Sequence, residues 1–131
     1  MVSPARVEGY LTLQPEIGQA MVFGDRRPYL VAVIVPNAEF LDGFAARRDA
    51  KPDLAAFAGD ADLHKLIGAA VTRVNAELTP VERVRRFVLA REPFTTANGQ
   101  MTPTLKIKRH AIRAAYGAAL LALYETKAAA S

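Results

Sequence analysis

Eight residues late in the chain, Thr102-Pro103-Thr104-Leu105-Lys106-Ile107-Lys108-Arg109, have the make-up of a cation presented on a stiffened loop. Asn98-Gly99, just before them, is a strong turn dipeptide, and Pro103 biases its predecessor toward extended backbone. Lys106 is expected at the mouth of the final helix, flanked by the small hydroxyl residues Thr102 and Thr104 and by further positive charge. An ammonium on a flexible stem is a compact point charge, able to reach out of a domain toward a phosphoryl or carboxylate group. Lys106, Lys108 and Arg109 crowd a helix N-terminus, where a cation costs about 0.3–1 kcal/mol at an exposed site. That placement favours an anionic target. The plainer alternative is three charges on a solvent-facing loop.

Little else in the chain can do chemistry. It has no cysteine, so disulfides, thiolate metal sites and thiol nucleophiles are excluded. His64 and His110 are the only histidines, without the convergent spacing of a metal site; His64 falls on the polar side of its helix and is expected to be solvated. No Gly-rich phosphate loop of Walker or dinucleotide type is present. Charge is distributed unevenly. Arg83, Arg85, Arg86, Arg91, Lys106, Lys108, Arg109 and Arg113 share one segment with Glu92 as its only acid, eight bases against one for a net of +7, whereas the rest carries nine bases against twelve acids. Such a patch suits phosphate, nucleotide, nucleic acid or an acidic protein face; otherwise it is a solvated basic face. Nucleic acid fits least, because only Phe87 and Phe94 interleave with the bases, and Phe87 reads as a core residue in mid-strand.

The elements that must position these residues follow from periodicity. The 131 residues make one domain, expected over 1–125 with a frayed tail over 126–131. Ser3-Pro4 opens a helix over 4–14 with Val7, Tyr10 and Leu11 or Leu13 inward. Strands follow over 17–23 and 29–35, joined by the Gly24-Asp25-Arg26-Arg27 turn as an antiparallel pair, the second nearly all apolar and so central. Asn37 caps a short helix with Phe40, Leu41 and Phe44 on one side, and 54–58 is a brief apolar turn. Asp60 opens the clearest helix, carrying Leu63, Leu66, Ile67, Ala70, Val71, Val74 and Leu78 at helical spacing. A third strand covers 85–89. The last 25 or so residues are helical, with Ala111, Ile112, Ala115, Tyr116, Leu120 and Tyr124 inward and Gly117 as a point of division. The fold class is α+β, with a small mixed or antiparallel sheet of about three strands packed with helices. No apolar run approaches the roughly 20 residues that cross a bilayer, and the N-terminus lacks the pattern of a secretory signal. A cytoplasmic setting is expected, with peripheral membrane association left open.

The 102–109 segment resembles the C-terminal lysine motif of the adenylate-forming enzymes, the superfamily of acyl-CoA synthetases, peptide-synthetase adenylation domains and luciferases. Their general motif has Ser-Gly-Lys where this chain has Thr104-Leu105-Lys106, a version similar to the long-chain fatty acyl-CoA ligase branch, as is Asn98-Gly99-Gln100-Met101. Val2-Ser3-Pro4-Ala5-Arg6-Val7-Glu8 resembles the end of the hinge-side motif where the C-terminal domain begins. The 29–36 stretch, Val74-Asn75-Ala76 and Glu82-Arg83-Val84-Arg85-Arg86-Phe87 continue the likeness in order, so it runs over about 2–124.

The resemblance implies the mobile C-terminal domain of an ATP-dependent fatty acid–CoA ligase. In that family a carboxylate attacks the α-phosphate of ATP to give an acyl-adenylate; the C-terminal domain then rotates and CoA takes the acyl group as a thioester. Carried over by motif, Lys106 is the catalytic lysine of the first half-reaction. Lys108, Arg109 and Arg85 are candidate contacts for CoA or phosphate. ATP, CoA and fatty acid are the implied substrates. Mg2+ would be held mainly by an N-terminal adenylation core, the implied partner, which is absent from this chain together with the hinge residue. Alone, the domain is expected to fold without catalysing. The competing expectation is a stand-alone, non-catalytic module that grips a nucleotide, CoA or an acidic protein through its basic 83–113 segment.

Overall fold

The Ser3 hydroxyl accepts the Arg6 amide at 3.4 Å, and Pro4 takes the first position of helix α1 (Pro4–Leu11), where its missing N–H leaves nothing unpaired. The helix stops short of the expected residue 14. Thr12 Oγ1 donates back to the carbonyls of Glu8 (3.0 Å) and Gly9 (3.2 Å), closing the last turn before Pro15 is reached. Val7 and Leu11 are therefore buried, and Leu13, past the helix end, is 77% exposed. In this computed structural model residues 3–24 and 29–125 are described; Met1, Val2, Asp25, Arg26 and Arg27 of the expected turn, and the 126–131 tail lie outside them.

Strands β1 (Ile17–Phe23) and β2 (Leu30–Pro36) pair antiparallel, with Ala20 opposite Ile34 and Val22 opposite Ala32. Strand β3 (Val84–Leu89) joins the other side of β2 in parallel, giving a mixed sheet of order β1-β2-β3. A parallel return needs a long crossover. It is supplied by α2 (Ala38–Ala46), α3 (Leu54–Phe57), α4 (Ala61–Asn75) and a 3-10 turn (Pro80–Glu82). Every residue of β2 is buried, as a central strand covered on both faces requires.

The last helix, α5 (Arg109–Glu125), lies on the sheet face opposite α4. Phe87 of β3 stacks under α4 against His64, ring centroids 4.1 Å apart and planes 5° from parallel. Arg86, its neighbour, points the other way and donates to the Leu123 carbonyl of α5 at 2.7 Å. His64 is thus not simply solvated: its Nε2 also lies 3.2 Å from the Phe87 carbonyl, because β3 passes beneath that side of α4. Leu66, at the flank of the apolar stripe, is 40% exposed. On α5 the buried stripe is narrower than expected, with Ile112, Tyr116 and Leu120 buried and Ala115 exposed. Gly117 does not divide the helix; a mid-helix glycine costs about 1 kcal/mol, and the packed stripe on either side carries α5 through it.

Side chains take main-chain groups on both outer strands. Glu8 Oε2 accepts the Val22 amide at 2.7 Å, and Arg109 Nη1 donates to the Val22 carbonyl at 3.3 Å. Across the sheet, Asn75 accepts the Val84 amide (3.0 Å) and donates to the Val84 carbonyl (2.9 Å). Among the described residues, no helix is long and apolar enough to cross a membrane.

Asp60 caps α4, accepting the amides of Asp62 (2.9 Å) and Leu63 (3.0 Å) while Arg48 pairs with it. The Leu63 amide, followed by the Arg48 guanidinium, holds its carboxyl below the ordinary 3.8. A carboxylate depressed in the folded state contributes stability above its unfolded pKa and loses it as pH falls through the folded value. Asp60→Asn keeps a capping oxygen but no charge. The variant is therefore expected to lose less stability than the parent between pH 7 and pH 3, read as urea midpoints; parallel midpoint curves would show that Asp60 does not carry this dependence.

Candidate functional site

The 101–107 segment closes into a tight hairpin. Met101 and Ile107 pair across an antiparallel bridge, the Thr102 amide donates to the Lys106 carbonyl at 2.8 Å, and the Lys108 amide donates to the Gln100 carbonyl at 2.8 Å. Lys106 therefore stands on a hairpin, and α5 begins only at Arg109, so the expected helix mouth lies three residues further on. Leu105 turns the tip in a left-handed conformation (φ 64°), with its amide bonded to the Thr102 carbonyl at 2.9 Å. For a leucine this backbone is unusual and must be held by its surroundings. The threonine hydroxyls do the holding: Thr102 Oγ1 accepts the Lys106 amide at 3.1 Å and lies 3.0 Å from Thr104 Oγ1. Lys106 itself is exposed, and no described residue makes an ion pair or hydrogen bond with its ammonium.

The approach to the hairpin is rigid as well. Gly99 has φ 79°, as the Asn98-Gly99 turn requires, and Asn98 Oδ1 accepts the amides of Thr95 (3.1 Å) and Gln100 (3.0 Å). Gln19 of β1 clasps the main chain of Phe94, accepting its amide at 2.8 Å and donating to its carbonyl at 3.0 Å, with Met101 Sδ 3.4 Å from the same nitrogen. Phe94 is buried in the core.

The structure brings three of the four sequence-predicted site residues together. Lys106 and the exposed Lys108 share the hairpin, and Arg109 stands at its foot. Arg109 is half-buried, its fork donating to both carboxylate oxygens of Glu8, at 2.7 Å for Nη2 to Oε1. The hydrogen bond that Arg109 donates to Glu8 raises the Arg109 pKa above its ordinary value. Arg85 lies apart. It is exposed at the start of β3, beside Leu30, whereas the hairpin is held at Gln19, which pairs with Val35; at about 3.3 Å per residue the two regions are on the order of 15 Å apart. There Arg85 lines an open depression of about 380 Å³ with Thr72, Asn75, Ala76 and Arg83.

Sequence reasoning missed the supporting residues Glu8, Gln19 and Asn75. For the first two a signal was present, a carboxylate beside inward-facing Val7 and an amide inside an otherwise apolar strand. The partners are 101 and 75 residues distant in sequence, out of reach of a local pattern.

Residues 1–128 match the AMP-binding enzyme C-terminal domain, and the chain belongs to that family of adenylate-forming enzymes. The long-chain-fatty-acid–CoA ligase FadD15 of Mycobacterium tuberculosis is 34% identical over 125 residues, 94% of this chain and 21% of the ligase. The putative fatty-acid–CoA ligase fadD11 of the same species is 35% identical over 127 residues, covering 96% and 22%. The fold matches the A-PCP didomain of the carboxylic acid reductase from Segniliparus rugosus, solved with AMP, at TM-score 0.76 and 28% identity over 96% of this chain and 16% of that one. The adenylation domain of a Mycobacterium chelonae carboxylate reductase matches at TM-score 0.73 and 32% identity, covering 92% and 17%. The chain thus spans about a fifth of the length of its curated relatives.

Proposed function

We propose that residues 1–125 form the C-terminal lid domain of an ATP-dependent fatty acid–CoA ligase, with Lys106 as its catalytic side chain. The observation that carries the reading is the hairpin, which fixes the Lys106 backbone through two hydrogen bonds to Thr102 while leaving the ammonium without a partner among the described residues. A lysine so held is built to meet an anion brought by something else. When a fatty carboxylate attacks the α-phosphate of ATP, two anions approach and negative charge grows on the phosphoryl oxygens. The Lys106 ammonium offsets that charge in a site from which water is largely excluded. Lys108, beside it, is placed to meet the same anionic surface. Arg85 with Arg83 offers a separate cationic depression for a phosphate of CoA. Arg109 is engaged by Glu8, so a CoA contact would have to share its fork.

In this reading the remaining four-fifths of the ligase supplies the adenylation core, the acyl pocket and the carboxylates for Mg2+. Among the described residues no group of three or more His, Cys, Asp and Glu side chains could hold a metal ion. The fatty acid–CoA ligase relatives and the Thr104-Leu105-Lys106 motif favour a fatty acid as the carboxylate. The test is a graft. This chain in place of the C-terminal domain of a related ligase should retain fatty-acid-dependent ATP–pyrophosphate exchange, and the 131-residue chain alone should show none. A folded graft that binds ATP and fatty acid yet forms no adenylate would remove the proposal.

A further inference from the structure

Glu8 is the only charged residue among those described that is buried in the folded chain, at 8% exposure. Its carboxylate is fully engaged, accepting the Val22 amide on Oε2 and the two arms of the Arg109 fork on Oε1 and Oε2. The same guanidinium reaches the Val22 carbonyl at 3.3 Å. One carboxylate thus ties together α1, β1 and the foot of the Lys106 hairpin. An ion pair with its carboxylate buried and its guanidinium half-buried is a poor device for stability alone, since apolar replacements of buried pairs are often as stable or more so. What a bidentate Arg–carboxylate pair does supply is direction, because the planar fork donates to its partner in one orientation.

We propose that Glu8 and Arg109 are positioning residues that lock the Lys106 hairpin to the first helix, so that the lysine moves with α1 as one rigid body. Arg109 follows Lys106 by three residues and opens α5, and the Lys108 amide between them closes the hairpin onto Gln100. Glu8 lies one turn into α1, whose start resembles the hinge-side motif of the family. The second anchor, the Gln19 clasp on Phe94 and Met101, fixes the hairpin to the sheet. The Glu8–Arg109 strut fixes it to the helix where rotation enters. This inference rests on the reading that the domain turns about the segment before α1, and it assigns Arg109 a role inside the domain.

The test is residue-resolved amide exchange on the 131-residue chain. Glu8→Gln keeps an acceptor for the Val22 amide but drops the charge; Arg109→Lys keeps the charge but loses the fork. In both, the Thr102 and Lys108 amides that close the hairpin are expected to exchange roughly tenfold faster or more, the effect of weakening a charge-assisted bond. The core Val33 amide should keep its rate. Glu82→Gln, which breaks the pair between Glu82 of the 3-10 turn and Arg6 of α1, should leave the hairpin unchanged. Hairpin rates unaltered in both variants, or altered only as much as Val33, would overturn the strut as a positioning device. If Glu8→Gln does not fold, Arg109→Lys decides the question alone. These rates do not depend on the reaction the domain serves. A failed strut therefore leaves the role of Lys106 to its own kinetics, and an inert Lys106→Ala leaves the strut intact while removing its purpose.

Discussion

Lys106→Ala, made in a ligase carrying this domain, is expected to slow acyl-adenylate formation by about 10²- to 10³-fold, the usual consequence of losing one preorganised stabiliser of transition-state charge. The fold should be untouched, because the side chain is exposed and has no partner among the described residues. Thioester formation from a supplied acyl-adenylate should stay near the parent rate, because in the proposed role Lys106 reaches the α-phosphate only in the first half-reaction, before the domain rotates. Lys106→Arg should rescue little, since a planar fork cannot stand in for a compact ammonium on a flexible stem. Measuring the halves separately, by pyrophosphate exchange and by CoA consumption from preformed adenylate, decides the assignment. Equal loss in both would mean that Lys106 serves the domain generally and not adenylation.

Phe94→Ala should have the largest effect on stability, about 3–5 kcal/mol for a buried phenylalanine truncated to alanine, against a total of roughly 5–15 kcal/mol for a domain. Phe94 is 2% exposed, and its main chain is what Gln19 clasps on both sides. Removing the ring therefore leaves a cavity and frees the segment that leads to the hairpin. Urea unfolding should show a lowered midpoint with an unchanged slope. A loss below about 1 kcal/mol would place Phe94 among ordinary surface substitutions and would mean that the segment hangs from the core without supporting it.

Much of the architecture was legible where the cause is local. Alternating and continuous apolar runs gave the bounds of β1 and the burial of β2, and Ser3, Asn37 and Asp60 cap helices through their own side chains, whereas the 54–58 stretch, expected as a turn, holds a short helix over Leu54–Phe57 capped by Asp53. The turn at Gly99 needed only the preference of Asn-Gly for positive φ. What failed depends on the rest of the molecule. The end of α1 is set by a hydroxyl bonding backward, in competition with the helix, and not by the proline that follows. Whether β3 runs parallel or antiparallel to β2 is decided by the path of the crossover, on which a six-residue pattern is silent. The stacking of His64 on Phe87 exists only once α4 lies over the sheet. Motif and periodicity put Lys106 at the mouth of the last helix, whereas it stands on the hairpin three residues before α5. The residues that aim it, Glu8 and Gln19, lie on α1 and β1.

The amide and carboxylate clasps on Val22 and Val84 bear on how such a domain behaves among its neighbours. A three-stranded sheet is small enough that its two margins are a large share of its backbone, and a bare margin is a template on which a passing strand can pair. Here one residue on each margin, Val22 and Val84, has its main-chain groups taken by side chains of the same chain. At those two points a contact with a larger body has to be made through side chains, which engage and release without exchanging backbone ladders. In the proposed role, a domain that swings against a partner needs that reversibility, and closure at Val22 and Val84 should hinder concentrated copies from joining edge to edge.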